Sequence, residues 1–162
     1  MQDFAVSGLA RRLFAMIYEV LLLFAILFFS GLLFLAATGD RIDLAPRVLF
    51  QIYLATVVGW YFVFCWSRGG QTLAMKTWKI RVVLKDGRPL SIGHAALRYL
   101  LALATLGVSA AAIAGLARHP DTPLAWIALL PGLAALGWAA FDRDRQFLHD
   151  RLAGTRIIKI ND

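Results

Sequence analysis

The sequence predicts an all-α membrane protein with four transmembrane helices, both termini in the cytoplasm, a short cytoplasmic interfacial helix and a small two-stranded β-ribbon. Three observations predict it. Four runs, 20–37, 48–66, 99–117 and 124–141, each hold 18 or 19 residues without a Lys, Arg, Asp or Glu, close to the roughly 20 that cross a bilayer. Hydrophobic residues make up 60% of the 162, and the mean hydropathy is +0.68, outside the range of a water-soluble domain. Of the 17 Lys and Arg residues, 14 fall on one side of the four runs.

That partition sets the orientation. Arg11 and Arg12 precede the first run, seven basic residues (Arg68, Lys76, Lys79, Arg81, Lys85, Arg88 and Arg98) lie between the second and third, and five follow the fourth. The other two connections hold only Arg41, Arg47 and Arg118, so the positive-inside rule places both termini in the cytoplasm. A formal charge of +7 and a pI near 10.2 would suggest nucleic acid as the partner of a soluble protein. Here the charge encodes orientation and contact with anionic headgroups instead, and nucleic acid is not expected. Cys65 lies inside the second run and is the only cysteine, which excludes an intramolecular disulfide and gives no metal-ligand spacing. Arg11 and Arg12 do not mark a signal peptide. The apolar segment behind them is longer than the 7 to 15 residues of a signal h-region and has no cleavage pattern.

The first helix is expected over about 10–37, starting near Gly8 or Leu9 and ended by Thr38, Gly39 and Asp40. A short connection with Pro46 at a helix start leads to the second, about 48–66. The loop 67–98 is the most organised polar segment. Within it, 71–80 reads as an interfacial helix with Thr72, Lys76 and Lys79 on a basic side and Ala74, Met75 and Trp78 on an apolar side. Residues 80–84 are β-branched and run into the turn signal Asp86-Gly87. Ser91 is suited to cap the third helix, about 96–117. The fourth is expected over about 124–141, before a cytoplasmic tail, 142–162. In that tail 155–160 is strand-like and is expected to pair with 80–84, because a lone strand leaves its backbone unsatisfied. Trp66, Tyr99 and Trp138 fall near inner boundaries and Tyr53 and Trp126 toward outer ones. Gly107, Ala111 and Gly115, with Ala128 and Gly132, have the four-residue spacing that allows close helix approach.

Three blocks carry a family resemblance. Arg12 is followed seven residues later by the carboxylate of Glu19; the segment from Gly70-Gln71-Thr72-Leu73 through Ile80-Arg81-Val82-Val83 to Asp86-Gly87 is similar to a GQTLGK, IRVV and DG loop; and Leu148-His149-Asp150-Arg151-Leu152-Ala153-Gly154-Thr155 forms the third. Together they resemble the RDD family of small bacterial membrane proteins, named for one arginine and two aspartates, over essentially the whole chain as a single domain, 1–162. The chain departs from the pattern at Glu19, where the family has aspartate. The resemblance implies a multi-pass protein of the bacterial inner membrane and, at most, exchange of sodium or other monovalent cations for protons.

Arg12 and Glu19 lie on one helix face, about 20° apart in azimuth and roughly 10 Å along the axis. A charge at mid-bilayer costs on the order of 3 kcal/mol, so Glu19 is expected to face protein and find a cation or a proton. Arg98 is the preferred partner. Asp150 has two readings: a solvated or capping charge beside Arg145 and Arg151, or a carboxylate folded back to pair with Arg12 or Arg98 and tie the tail to the bundle. Arg12, Glu19, Arg98 and Asp150 are thus the candidate polar network, and Lys76, Trp78, Lys79 and Arg81 the lipid-facing platform. His94, His119 and His149 have no metal-like spacing, and no nucleophile elbow, HExxH or phosphate loop occurs, so neither an enzyme nor a cofactor or metal is expected. Two function classes remain: a non-catalytic scaffold or accessory membrane subunit, and a proton-coupled cation (Na+, K+ or Li+) exchanger working as an oligomer.

Overall fold

A computed structural model of the chain describes residues 8–39, 44–118, 121, 123–142 and 146–160. In order these form α1 (Leu9–Thr38), α2 (Leu44–Gly69), α3 (Leu73–Thr77), β1 (Ile80–Leu84), α4 (Ile92–Ala102), a π-helical stretch (Leu103–Gly107), α5 (Val108–Leu116), α6 (Pro123–Ile127), α7 (Leu130–Phe141), α8 (Leu148–Leu152) and β2 (Thr155–Lys159). Three helical stretches are long and apolar enough to cross a membrane: Ala10–Thr38, Arg47–Gly69 and Ile92–Leu116. The single fourth helix expected over 124–141 is corrected. A turn at Ala128 and Leu129 divides that stretch, and α7 begins with Pro131 in its first turn. Proline lacks the N–H that would continue the α6 ladder, and its ring crowds the carbonyl four residues back.

The bundle is held by close approaches at a few small residues. α1 meets α2 where Gly31 lies against the Phe50 ring, and Phe34 packs on Phe50 and Tyr53 at 5.0 and 5.3 Å. α2 meets α4 at Gly59, where a Cβ would stand 2.7 Å from the Tyr99 ring; the Tyr99 hydroxyl donates to the Ala55 carbonyl at 2.6 Å. Ser109 of α5 repairs the break in the fourth apolar stretch. Its hydroxyl lies 3.1 and 3.2 Å from the Ala128 and Leu129 carbonyls and accepts from the Gly132 amide at 2.8 Å. Only glycine fits at 132, since a Cβ there would sit 2.5 Å from Ser109 Oγ. The small-residue seam is therefore Ser109 and Ala112 against Gly132, Ala135 and Ala139, all buried. Of the residues expected to form it, Gly132 does so, whereas Ala111 is exposed, a Cβ at Gly115 would meet nothing, and Gly107 abuts its own helix at Leu103.

The start of α1, the end of α2, the start of α4 and the C-terminal segment meet at one end under a polar cap. The cap is built on the expected β-ribbon: β1 and β2 pair antiparallel, Ile80 opposite Lys159 through Leu84 opposite Thr155. The turn at Asp86-Gly87, with Gly87 at φ 88°, and the Ser91 cap on the His94 amide also match expectation. The interfacial helix is shorter than 71–80. α3 stops at Thr77, because Lys79 takes φ 51° to turn the chain into β1. Large apolar side chains along α1, among them Phe24, Phe29 and Leu33, stay exposed on the outer face, as lipid contact requires.

Ser109→Ala leaves two carbonyls and one amide at the α6–α7 break without their partner. A loss of about 1 to 3 kcal/mol is expected, read as a lower thermal midpoint in detergent; an unchanged midpoint would show that the break is satisfied by other groups.

Candidate functional site

The loop after α2 places three consecutive residues, each for a separate reason. Gly70 takes φ +66°, and a Cβ there would lie 2.5 Å from the Val82 carbonyl, so only glycine lets the chain leave α2 and lie against β1. The Gln71 amide donates to the Ile80 carbonyl at 2.7 Å and fixes the start of β1. Thr72 is wholly buried; its hydroxyl oxygen caps α3 by accepting from the Met75 amide, and its proton goes to Glu19 Oε2. Its expected place on an exposed basic side is corrected, since one hydroxyl serves both bonds only when turned inward.

Glu19 accepts a second hydrogen bond on Oε1, from the Tyr61 hydroxyl of α2 at 2.7 Å. Among the described residues no Lys, Arg or His nitrogen lies within 4 Å of this carboxylate. Arg98 binds Asp150 instead of Glu19: its Nε and Nη2 donate to Oδ1 at 2.8 and 2.5 Å, with the side chains 5% and 0% exposed. The Glu19–Arg98 pairing is thus corrected. Arg98 projects from the first turns of α4 toward Asp150, while Glu19 takes its donors from Tyr61 of α2 and from Thr72 at the head of α3. Of the two readings of Asp150, the folded-back one holds, with Arg98 as partner. The Arg98 guanidinium also lies over the buried Trp66 ring, 4.2 Å from its centroid. Trp66 is therefore a core residue and not part of an interfacial belt.

Asp150 is aimed by α8, which Gly154 terminates at φ +66°; the Asp150 carbonyl accepts from the Thr155 hydroxyl at the head of β2. His149 packs beside the pair, Nε2 3.4 Å from Asp150 Oδ1. Burial holds its pKa below the ordinary histidine value, and the Arg98 charge pushes the same way against the opposing pull of Asp150. Arg12, 1% exposed, donates from Nη2 to the Ile157 carbonyl of β2 at 3.2 Å, so the expected Arg12–Asp150 pair is corrected too. The Gln146 side chain accepts from the Ile157 amide on the same residue of β2. Arg12, Glu19 and Asp150 therefore anchor three different pieces of the cap: β2, the α3 cap and α8.

Below the cap, α1, α2 and the third helix line a cavity of about 420 Å³ that is partly open at its side, where Val20, Leu103 and Ala110 are exposed. Arg12, Glu19, Thr72, Arg98 and His149 border its polar end, and Leu23, Val58, Leu106 and Ala110 are among the apolar residues beyond them. The π-helical stretch lies in this wall, where a widened turn makes room. Of the proposed platform, Lys76, Lys79 and Arg81 are exposed. Trp78 is half-buried and stacks on Phe14 of α1 at 5.2 Å, so it faces protein more than the lipid expected of it. Tyr61, Trp66, Gln146 and His149 were missed by sequence reasoning. Only His149 carried a signal, its place beside Asp150 in a motif block.

Arg98→Gln and Asp150→Asn are each expected to cost about 3 to 5 kcal/mol by stranding a buried charge, with the double variant clearly less destabilised than their sum. Glu19→Gln combined with Arg98→Gln is expected to be additive. Thermal or denaturant unfolding in detergent checks both cycles, and additivity in the first would remove the salt bridge from the account.

Comparison with curated proteins and with solved structures gives no match. The sequence profile of the RDD family matches residues 6–154, which takes in Arg12, the Gly70-Gln71-Thr72 turn and the Asp150 block. The chain belongs to the RDD family.

Proposed function

We propose that this RDD protein is a non-catalytic scaffold or accessory subunit of the bacterial inner membrane, crossing it four times with both termini in the cytoplasm. The observation that carries the reading is the sealed Arg98–Asp150 pair. A charge pair shut away from water ties the tail to the bundle and offers no passing ion a place to bind. The crossing count is supported by chain tracing. Leu116 lies 18 residues beyond Arg98, about 27 Å along the third helix, yet Asp150 is back beside Arg98, so the segment between them returns the length of the bundle. Lys76, Lys79 and Arg81 on the cap supply a surface for anionic headgroups, each worth about 1 kcal/mol near such a membrane. The exposed apolar face of α1 suits lipid, a second copy or a membrane partner.

Proton-coupled exchange of monovalent cations is the second reading. It is favoured by Glu19, which borders the cavity with two hydroxyl partners and, among the described residues, no cationic one. Reporters fused after Asp43, Lys85 and Asp121 are expected to read periplasm, cytoplasm and periplasm; a periplasmic Lys85 would overturn the orientation. In proteoliposomes the scaffold reading expects no proton movement above empty vesicles when a sodium or potassium gradient is imposed. Flux that Glu19→Gln abolishes would replace it with the exchanger.

A further inference from the structure

The cavity beneath the cap has a composition that neither a structural void nor a water-filled ion path would need. From Arg98 to Ala110 its wall follows the third helix for twelve residues, about 18 Å, and on α1 it runs from Arg12 to Leu23. It is therefore elongated along the helices. Beyond the polar end the lining is apolar, Leu23 and Val20 from α1, Val58 from α2, Leu103, Leu106 and Ala110 from the third helix, and the arm is partly open along its side, where Val20, Leu103 and Ala110 are exposed. A genuinely empty cavity is apolar throughout and a hydrated one offers each water several polar partners. This one has a single carboxylate placed at the base of an apolar arm.

The charges at the polar end are unequal in what they offer. Arg98 is committed to Asp150 at 2.5 and 2.8 Å. Arg12 is almost wholly buried and its guanidinium donates to the β2 backbone. His149 is buried, which holds its pKa below the ordinary histidine value. Glu19 is more open than either arginine, and its two hydroxyl donors occupy two of the roughly four lone-pair directions of a carboxylate. Glu19 borders the cavity, at the base of the apolar arm.

We propose that the cavity is a binding site for a lipophilic cation: a protonated amine carried on a single unbranched alkyl chain, with the ammonium on Glu19 and the chain along Leu23, Val58, Leu106 and Ala110. The length fits: the wall that the third helix supplies runs about 18 Å from Arg98 to Ala110, enough for an ammonium and an extended chain of about a dozen carbons. An ammonium has three donors and no acceptor, which complements a carboxylate already holding two donors. The site is independent of the scaffold and exchanger readings, since neither calls for an apolar arm.

Trp66 borders the cavity and reports on it. The test uses the full chain with Trp60, Trp78, Trp126 and Trp138 replaced by Phe, in nanodiscs of zwitterionic lipid at neutral pH. It is titrated with dodecylamine, dodecanol and dodecanoate, each brominated in the first third of its chain, close to the head group that the proposal places near Trp66. Saturable quenching by the amine is expected at about tenfold lower concentration than by the alcohol, with the carboxylate weakest. Glu19→Gln is expected to bring amine and alcohol within about twofold of each other, while Glu19→Asp keeps most of the preference. If Glu19→Gln does not fold, Ala110→Leu fills the arm with the carboxylate in place and is expected to weaken the brominated dodecylamine about tenfold. Equal quenching by amine and alcohol in the Glu19 protein would reduce the cavity to an apolar crevice and overturn the proposal. Stronger quenching by the carboxylate would overturn it in favour of an anion held by Arg12, and an amine preference that survives Glu19→Gln would place the cation elsewhere.

Discussion

The rest of the structure depends on one buried ion pair. Arg98 stands near the beginning of the third helix and Asp150 in the last short helix, 52 residues later; their contact closes the bundle on itself. A guanidinium and a carboxylate taken out of water each cost several kcal/mol, and only good geometry between them returns it. Such a pair tolerates few alternative arrangements. It adds specificity to the docking of α8, and α8 in turn delivers β2 to β1. Trp66 beneath the guanidinium adds a ring face to the same junction, so α2, α4 and α8 converge on one cation.

The cap and the cavity share their boundary at Thr72. Its hydroxyl caps a helix of only five residues, too short to hold itself together in isolation, and reaches the carboxylate of Glu19 on another helix. The same residue thus orders the loop above and borders the cavity below. Any event that alters the Glu19 carboxylate is felt first at the α3 cap, then through Gln71 and Gly70 at the start of β1.

Apolar length and charge partition made the helices legible. The β-ribbon was legible as well, because two β-branched pentads in an otherwise helical chain had only each other to pair with. Ser91 and Asp86-Gly87 announced their cap and turn by residue type alone. The fourth stretch was misread as unbroken because hydropathy does not register that Pro131 lacks an N–H, while Ser109, the residue that makes the break tolerable, is distant in sequence. The charged residues were identified, but not their partners. A helical wheel gives azimuth and rise on one helix and says nothing about the rotation of its neighbours. For that reason the partners of Glu19 were not foreseen: Tyr61 lies in no motif block, and Thr72, although inside the Gly70-Gln71-Thr72-Leu73 block, carries no sign in the sequence that it faces Glu19.

The π-helical stretch between Leu103 and Gly107 carries a consequence for chain length. A π turn is an α-helix that has absorbed one extra residue without losing its direction. Removing one residue between 103 and 107 would let the turn relax to regular α geometry while Arg98 on one flank and Ser109 on the other kept their facing. Relatives one residue shorter there can preserve both the ion pair and the seam with α7. What they would give up is the widened wall, and with it the girth of the chamber.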